Sequence, residues 1–265
     1  SLKDERIRLF KNSENLGQVK SLNIGLKKSN AKYIARLDQD DINLPDRFKN
    51  QLNFMEGNEN ISLISSYEYG IDENGKILVE GTKDIKNFGH FIAEILLGLC
   101  PVWHPSVMFK RSTVESLNYF NENLGPSEDY DLWTRFALNR EGAAIVKEFD
   151  LKARNHNNRQ SIQLESKQKQ KTSEIHLDTL NKILGKNKIN LSLNSFLMMN
   201  QMYKKQFKGK HLKDTLIQLN FMRNTIARKF DMTEVEEKEF NKRLVKRLGL
   251  GIKLNPLMRY MPNQI

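Results

Sequence analysis

Along the first half of the chain, apolar positions alternate between two spacings. "RIRLF" (6–10) reads as a short strand, and "KNSENLGQ" behind it as a polar loop with Asn15 and Gly17 as turn residues. Val19, Leu22 and Leu26 fall at helical spacing in "VKSLNIGLKKS". "KYIARLD" has few polar interruptions, as expected of a strand covered on both faces of a sheet. Pro45 suits the first turn of the next helix, "PDRFKNQLNFMEG", where Phe48, Leu52 and Met55 form an apolar stripe. "ISLISSYEYGID" is a strand again, and the Asn-Gly of "DENGK" predicts a tight hairpin turn. Strand, helix, strand, helix, strand predicts an α/β layered fold.

Further on, Phe88 to Leu99 predicts a helix, and "PVWHPSVMFKRS" an extended segment punctuated by Pro101 and Pro105. In "LGPSEDYDLWTRFALNREG", Ser127 is the expected cap of a helix with Glu128, Asp129 and Asp131 in its first turn. Leu132, Phe136 and Trp133 supply the buried face of that helix. "AAIVKEFDLKARNHN" predicts a closing strand or two, ending at Arg154 and His156. Beyond Arg159 a Gln/Lys-rich run leads into amphipathic helices, and no internal repeat is present. The expected division is therefore an α/β body over 1–160 and a basic helical region over 161–265, separate from the sheet.

Charge sharpens that division. The net charge of +11 belongs wholly to the second part: residues 1–160 carry 22 Lys and Arg against 23 Asp and Glu, and residues 161–265 carry 21 against 9. The helical region shows no nucleic-acid-binding motif, and its basic residues mix with apolar stripes, which argues against a nucleic-acid partner. Docking on an anionic inner membrane surface is the better use of basic amphipathic helices. The one cysteine, Cys100, excludes an internal disulfide framework and sits in the apolar "ILLGLCPVW" as a small hydrophobe. No apolar run approaches the ~18 residues of a membrane span, and "SLKDERIRLF" has no signal-peptide pattern. A cytoplasmic protein, peripheral at the inner face of the membrane, is the expected location.

The candidate chemistry lies in three clusters. In "DQDD", Asp38, Asp40 and Asp41 repel one another where a strand stops, so either water at a surface turn or a cation at a site compensates them. In α/β sheets ligands bind beyond the carboxyl ends of strands, which is where this cluster falls. "SEDYDLW" alone is ordinary helix-start chemistry, and "RNH" alone an exposed histidine beside an arginine. Their order and separation add information that none carries singly.

That ordered set resembles the family 2 glycosyltransferases, inverting enzymes of the GT-A fold that use nucleotide-sugar donors. "ENLGQVKSLNIGLKKSNAKYIARLDQDDINLPDRFKNQ" is similar to the family's central block, with Asp38-Gln39-Asp40 as its Asp-x-Asp motif. "HPSVMFKRS" and "FNENLGPSEDYDLWTRF" resemble the acceptor-side block, and "RNHNNRQSI" the closing Arg-x-His element. The resemblance covers roughly residues 5 to 162 and implies a Rossmann-like mixed sheet with a helical appendage at its C-terminal end. It implies that Asp38, with Asn15 and Gly17, holds the donor. Asp40, with His156, would ligate a divalent cation, Mg²⁺ or Mn²⁺, on the diphosphate. Arg154 would touch phosphate, and Asp129 would be the general base, with Glu128 the second candidate. A UDP-sugar donor and a saccharide or lipid-linked acceptor are the implied partners. Trp133 and His104 stand near the acceptor block, with core packing the expected role of Trp133. The family's usual first strand–helix–strand has no counterpart in this sequence, so a fragment of a longer product is expected, inactive or weakly active alone. A module that kept the fold as a scaffold and lost the donor chemistry is the competing reading.

Overall fold

Two long strands run parallel side by side and form the spine of a mixed sheet. They are β3 (Ile61–Ile71) and β6 (Gly142–Arg154), paired from Ile61↔Gly142 to Ile71↔Arg154 with irregularities near Tyr67. The computed structural model describes residues 4–156, 163–185 and 210–247. Every other strand pairs antiparallel: β1 (Tyr33–Ala35) with β5 (Met108–Lys110), β5 with β3, β2 (Ile42–Asn43) with β6, and β4 (Ile77–Gly81) with β3. The path across the sheet is β1-β5-β3-β6-β2, with β4 as a hairpin partner of β3. The 72–76 turn joins that hairpin, and Gly75 takes φ +87 there, as the Asn-Gly signal predicts.

Helices α1 (Gln18–Lys28) and α2 (Arg47–Glu56) flank β1 and β2 in the chain, so the alternation read from the sequence is present. Several local expectations are corrected. "RIRLF" makes no strand: Ile7 and Leu9 are 57% and 89% exposed, and no described strand pairs with the segment. β1 is only three residues long, half-buried, and stands at the end of the sheet, because the chain turns inward at the buried Arg36.

The largest correction is in α2. Two of the three residues of its apolar stripe face outward, Phe48 55% and Leu52 43% exposed, while the third, Met55, is buried completely together with Arg47 and Gln51. Hydrogen bonding outweighs hydropathy at this helix. The Arg47 guanidinium donates to Asn43 Oδ1 (2.5 Å), the Arg36 carbonyl (2.7 Å) and Gln51 Oε1 (3.2 Å). Gln51 Nε2 donates in turn to Ser66 Oγ (2.9 Å) and the Ser106 carbonyl (2.6 Å). Buried polar groups persist where they are satisfied in this way.

α3 (Phe88–Leu96) buries all nine residues, and Asn87 caps it by accepting from the His90 amide. The segment expected to be extended holds a 3-10 turn over His104–Ser106 and then β5, and a helix that the pattern did not predict, α4 (Arg111–Ser116), follows. α5 (Glu128–Leu138) buries Leu132, Trp133 and Phe136, as expected. "AAIVKEFDLKAR" is one strand rather than two.

Three helices of the basic region follow: α6 (Glu165–Leu184), α7 (Lys210–Lys229) and α8 (Glu234–Arg247). A further helix expected over 192–207 lies outside the described residues. Leu180, Met222, Ile226, Phe240 and Leu244 join Phe91, Ile95 and Trp133 in one hydrophobic cluster, so these helices reach the sheet through α3 and α5. Gly89 makes the α3–α8 contact close. A Cβ on it would lie 1.9 Å from the Glu236 carbonyl oxygen.

Candidate active site

The "DQDD" loop begins where β1 ends. Arg36 continues the pairing by donating its amide to the Val107 carbonyl (3.0 Å), and its buried side chain turns back onto Asp38. The guanidinium grips Asp38 in a two-pronged pair, Nη1–Oδ2 2.9 Å and Nη2–Oδ1 2.5 Å. Part of the repulsion in the loop is therefore offset within the protein.

The end of β6 fixes the rest of the loop. The Arg154 amide donates to Asp41 Oδ1 (2.8 Å), and its guanidinium donates to the carbonyls of Asp40 (3.1 Å), Asp72 (3.0 Å) and Glu73 (2.7 Å). Asp41 is thus a supporting member that locks loop to strand. Two residues on, His156 Nε2 lies 2.8 Å from Asp40 Oδ2. The Asp-x-Asp and Arg-x-His elements, more than a hundred residues apart, meet here.

The acidic pair arrives from the other side, on the first turn of α5. Ser127 does not cap this helix as expected. It adopts φ +113, and its hydroxyl donates to the Gln168 carbonyl (3.1 Å) and lies 2.9 Å from Thr172 Oγ1, both on α6. Glu128 reaches back to accept from the Ser127 amide (3.1 Å). Asp129 Oδ1 accepts from the Tyr130 amide (2.7 Å), while its Oδ2 stands 3.8 Å from His104 Nδ1 and 3.9 Å from the Cys100 thiol. Tyr130 anchors the turn by donating its hydroxyl to the Ile95 carbonyl (2.6 Å).

Burial sets the protonation of this side. It raises the Glu128 carboxyl to about 7, helped by the neighbouring Asp129 charge, and it raises Asp129 as well. Burial and the Arg36 charge hold the His104 imidazole neutral, and its Nε2 is buried with no hydrogen-bond partner among the described residues. Burial also pushes the Cys100 thiol up to about 12, so it stays protonated.

One cavity of about 810 Å³ collects these groups: Asn15, Gly17, Asp38, Asp40, Glu128, Asp129 and His156 all line it. Arg154 is absent from the lining because carbonyls occupy its guanidinium. Trp133 is fully buried behind the site, against Phe109, Phe136 and His104. A smaller pocket of about 410 Å³, walled by Leu22, Leu26, Ile34 and Phe120, adjoins the cavity at Arg36 and Asp38. Among the lining residues that sequence reasoning missed are Arg36 and Gln168. Arg36, a cation two positions before Asp38 in an apolar strand, was a usable signal. Gln168 comes from the Gln/Lys-rich run and gave none.

Comparison with known proteins gives a consistent result. The profile of Glycosyl transferase family 2 matches residues 1–117. An uncharacterized glycosyltransferase of Haemophilus influenzae is 30% identical over 82% of this chain and 69% of its own length. One of Methanocaldococcus jannaschii is 42% identical over 57% of this chain and 52% of its own. The amylovoran biosynthesis glycosyltransferase AmsE of Erwinia amylovora is 34% identical over 46% and 44%. The chain thus spans about half the length of the Methanocaldococcus and Erwinia relatives.

Proposed function

Since the chain belongs to the family 2 glycosyltransferases, we propose that its acidic cavity moves a sugar from a nucleotide-sugar donor, UDP-linked, to an acceptor hydroxyl with inversion. The observation that carries this reading is the meeting of Asp40 and His156 with Asp129 and Glu128 in one cavity. Among the described residues four carboxylates line it against a single guanidinium, that of Arg36, and Asp38 already holds that group. A nucleoside diphosphate is repelled from such a wall unless a cation accompanies it.

The donor set fits such an ion. Among the described residues no group of three or more His, Cys, Asp or Glu converges as a closed cage. Asp40 and His156 instead offer one carboxylate and one imidazole at the cavity wall, 2.8 Å apart. Mg²⁺ and Mn²⁺ sites on substrate phosphates typically take one or two protein carboxylates and leave the remaining positions to phosphate and water. Asp40 with His156 would hold the ion, which when bound would offset charge on the departing diphosphate. Asp38, fixed by Arg36, orients the donor's nucleoside side beside Asn15 and Gly17.

Asp129 removes the acceptor proton. As the hydroxyl oxygen bonds to the anomeric carbon, the bond from that carbon to the diphosphate oxygen breaks, its electron pair leaves with the nucleotide, and the proton passes to the Asp129 carboxylate. One displacement inverts the centre. A positioned carboxylate base typically contributes ~100- to 10,000-fold. Glu128 keeps the pair's shared charge low, since two adjacent buried carboxylates resist double ionisation.

The Erwinia relative is named for amylovoran biosynthesis, and a saccharide or lipid-linked acceptor in surface polysaccharide synthesis is our reading for this chain. No described helix is long and apolar enough to cross a membrane, and peripheral contact through the basic helices remains our reading of the C-terminal region. Titration of the full chain with UDP and Mn²⁺ tests the whole scheme. Binding that is abolished by chelator supports it, and binding indifferent to both chelator and Asp40→Asn overturns it. Chelator-sensitive binding without sugar transfer would favour the scaffold reading.

A further inference from the structure

The Cys100–Pro105 segment borders two cavities. His104 and Pro105 line the acidic one, whereas Cys100, Pro101 and Trp103 line a second, of about 720 Å³. The shared wall is thin, since the Cys100 thiol, facing Asp129, stands 3.9 Å from Oδ2.

The two cavities have opposite charge. Six cations line the second one, Lys83, Lys86, Lys147, Lys242, Arg243 and Lys246, against the three carboxylates of Asp84, Glu94 and Glu239, a balance of +3. Among the described residues the acidic cavity sets Arg36 against Asp38, Asp40 and the Glu128–Asp129 pair, a balance of −2 while that pair shares a proton and −3 when it is fully ionised. The carboxylates of the basic cavity are already engaged. Arg243 pairs with Glu94, Lys147 lies 3.6 Å from Asp84, and Glu239 is shared between Lys242 (3.6 Å) and Lys86 (3.8 Å). Lys246 has no carboxylate within ion-pair distance among the described residues. These cations come from the loop between β4 and α3, from β6 and from α8. They surround a concavity, whereas a surface-binding helix would array them along one face.

Two further features favour a ligand with both a sugar ring and a phosphate. Trp103 and Tyr67 give the cavity aromatic walls, and the Trp103 indole N–H is a buried donor with no acceptor among the described residues. Lys83 packs 3.7 Å from the Trp103 ring centroid and donates to the carbonyls of Cys100 (2.8 Å) and Val102 (3.2 Å), fixing the shared wall.

We propose that this basic cavity binds the phosphate or diphosphate group of a phosphorylated glycan acceptor, held on the Asp129 side of the molecule. The word "acceptor" rests on the transferase reading. The anion site itself rests only on this cavity. The donor's diphosphate has its place elsewhere, at Asp40 and His156, so the second site needs no nucleotide.

The test uses the full chain and inorganic pyrophosphate without metal, followed by titration calorimetry. The acidic cavity, net negative in either protonation state of the Glu128–Asp129 pair, repels that probe when no cation is present, so the +3 cavity is the one it reports. Lys242→Gln with Lys246→Gln changes two exposed side chains and is expected to leave the fold intact, as circular dichroism will check. The double variant should bind pyrophosphate at least about tenfold more weakly, since a hydrogen bond to a charged group contributes on that order. It should bind UDP with Mn²⁺ as the wild type does. A short prenyl diphosphate sugar should bind more tightly than the same sugar without phosphate, and the difference should shrink in the variant. Pyrophosphate binding that is absent, or equal in wild type and variant, overturns the site. So does a variant that loses only its binding to vesicles of anionic lipid while retaining soluble pyrophosphate. If UDP with Mn²⁺ fails to bind while the pyrophosphate effect stands, the transferase reading falls and the anion site survives.

Discussion

Replacing Glu128 with Gln tests the electrostatics of the acidic cavity without any turnover. The side chain is buried beside Asp129, and its carboxyl is raised from 4.5 to about 7, by burial first and by the neighbouring carboxylate second. In the unfolded chain the group returns to its ordinary value. Between the two values the folded protein therefore binds more protons than the unfolded one, and stability falls as pH rises through that window. The penalty is nearly absent at pH 4.5 and complete above about 7. At 1.36 kcal/mol per pKa unit it amounts to roughly 3 kcal/mol, an upper bound because Asp129 shares the titration. Glutamine matches the shape, carries no charge, and retains an oxygen for the Ser127 amide. Glu128→Gln should thus stabilise the chain by up to about 3 kcal/mol at pH 8, on the order of 5 °C in Tm for a protein this long. The gain should fade toward zero at pH 4.5. Urea unfolding of both proteins at pH 4.5, 6 and 8 measures it. A gain of the same size at every pH, or a loss at pH 8, refutes the argument that a buried charge is the cause.

Asp40→Asn removes the carboxylate placed against His156, and UDP affinity in the presence of Mn²⁺ should drop at least about tenfold by calorimetry. An unchanged affinity would remove Asp40 from the ion site. Arg154→Ala deletes the donor to the Asp40, Asp72 and Glu73 carbonyls and should cost about 1.5–3 kcal/mol. Proteolysis within 38–44 should speed up with it, and equal cleavage rates would show the clamp to be dispensable. Gly89→Ala gains up to ~1 kcal/mol of helix propensity. Its Cβ would nonetheless meet the Glu236 carbonyl at 1.9 Å, which is backbone and cannot swing aside. A net loss of about 1–2 kcal/mol in urea, with faster proteolysis of α8, is expected. Stabilisation instead would mean that the α3–α8 contact is loose.

The sequence made α3, β3, β6 and α5 legible because each has a long apolar pattern of one period, and their bounds follow it closely. Asp40 and His156 were legible as motif members, and their contact across more than a hundred residues follows from β6 delivering one to the other. The face that α2 buries was not legible. Phe48 and Leu52 outrank Arg47 and Gln51 on any hydropathy scale, and only the acceptors supplied by Asn43, Ser66 and Ser106 reverse the order. Those acceptors come from three separate elements, so no local window contains them. Ser127 misled for a similar reason. Its partners, Gln168 and Thr172, lie some forty residues downstream on a helix whose docking the local pattern does not encode.

The basic C-terminal region illustrates how charge balance can mislead when read as a partition. Its excess of Lys and Arg suggested a surface separate from the sheet, facing some large anionic partner. α6 instead hands Gln168 to the acidic cavity, and α8 hands Lys242, Arg243 and Lys246 to the basic one. The positive charge therefore counterbalances the carboxylates of the first part across the thin wall at Cys100. Glu94 makes the link concrete, as a buried carboxylate of α3 that pairs with Arg243 of α8 and lies 3.5 Å from His90 Nε2. Removing Arg243 would leave that carboxylate buried without its guanidinium, a cost of several kcal/mol for a pair of this kind. A body cut at residue 160 would incur the same cost, and it would also uncover α3 and α5 where α6 and α8 now pack on them. On these grounds we propose that the α/β body requires these helices, and that any partner they engage approaches through the face they leave open.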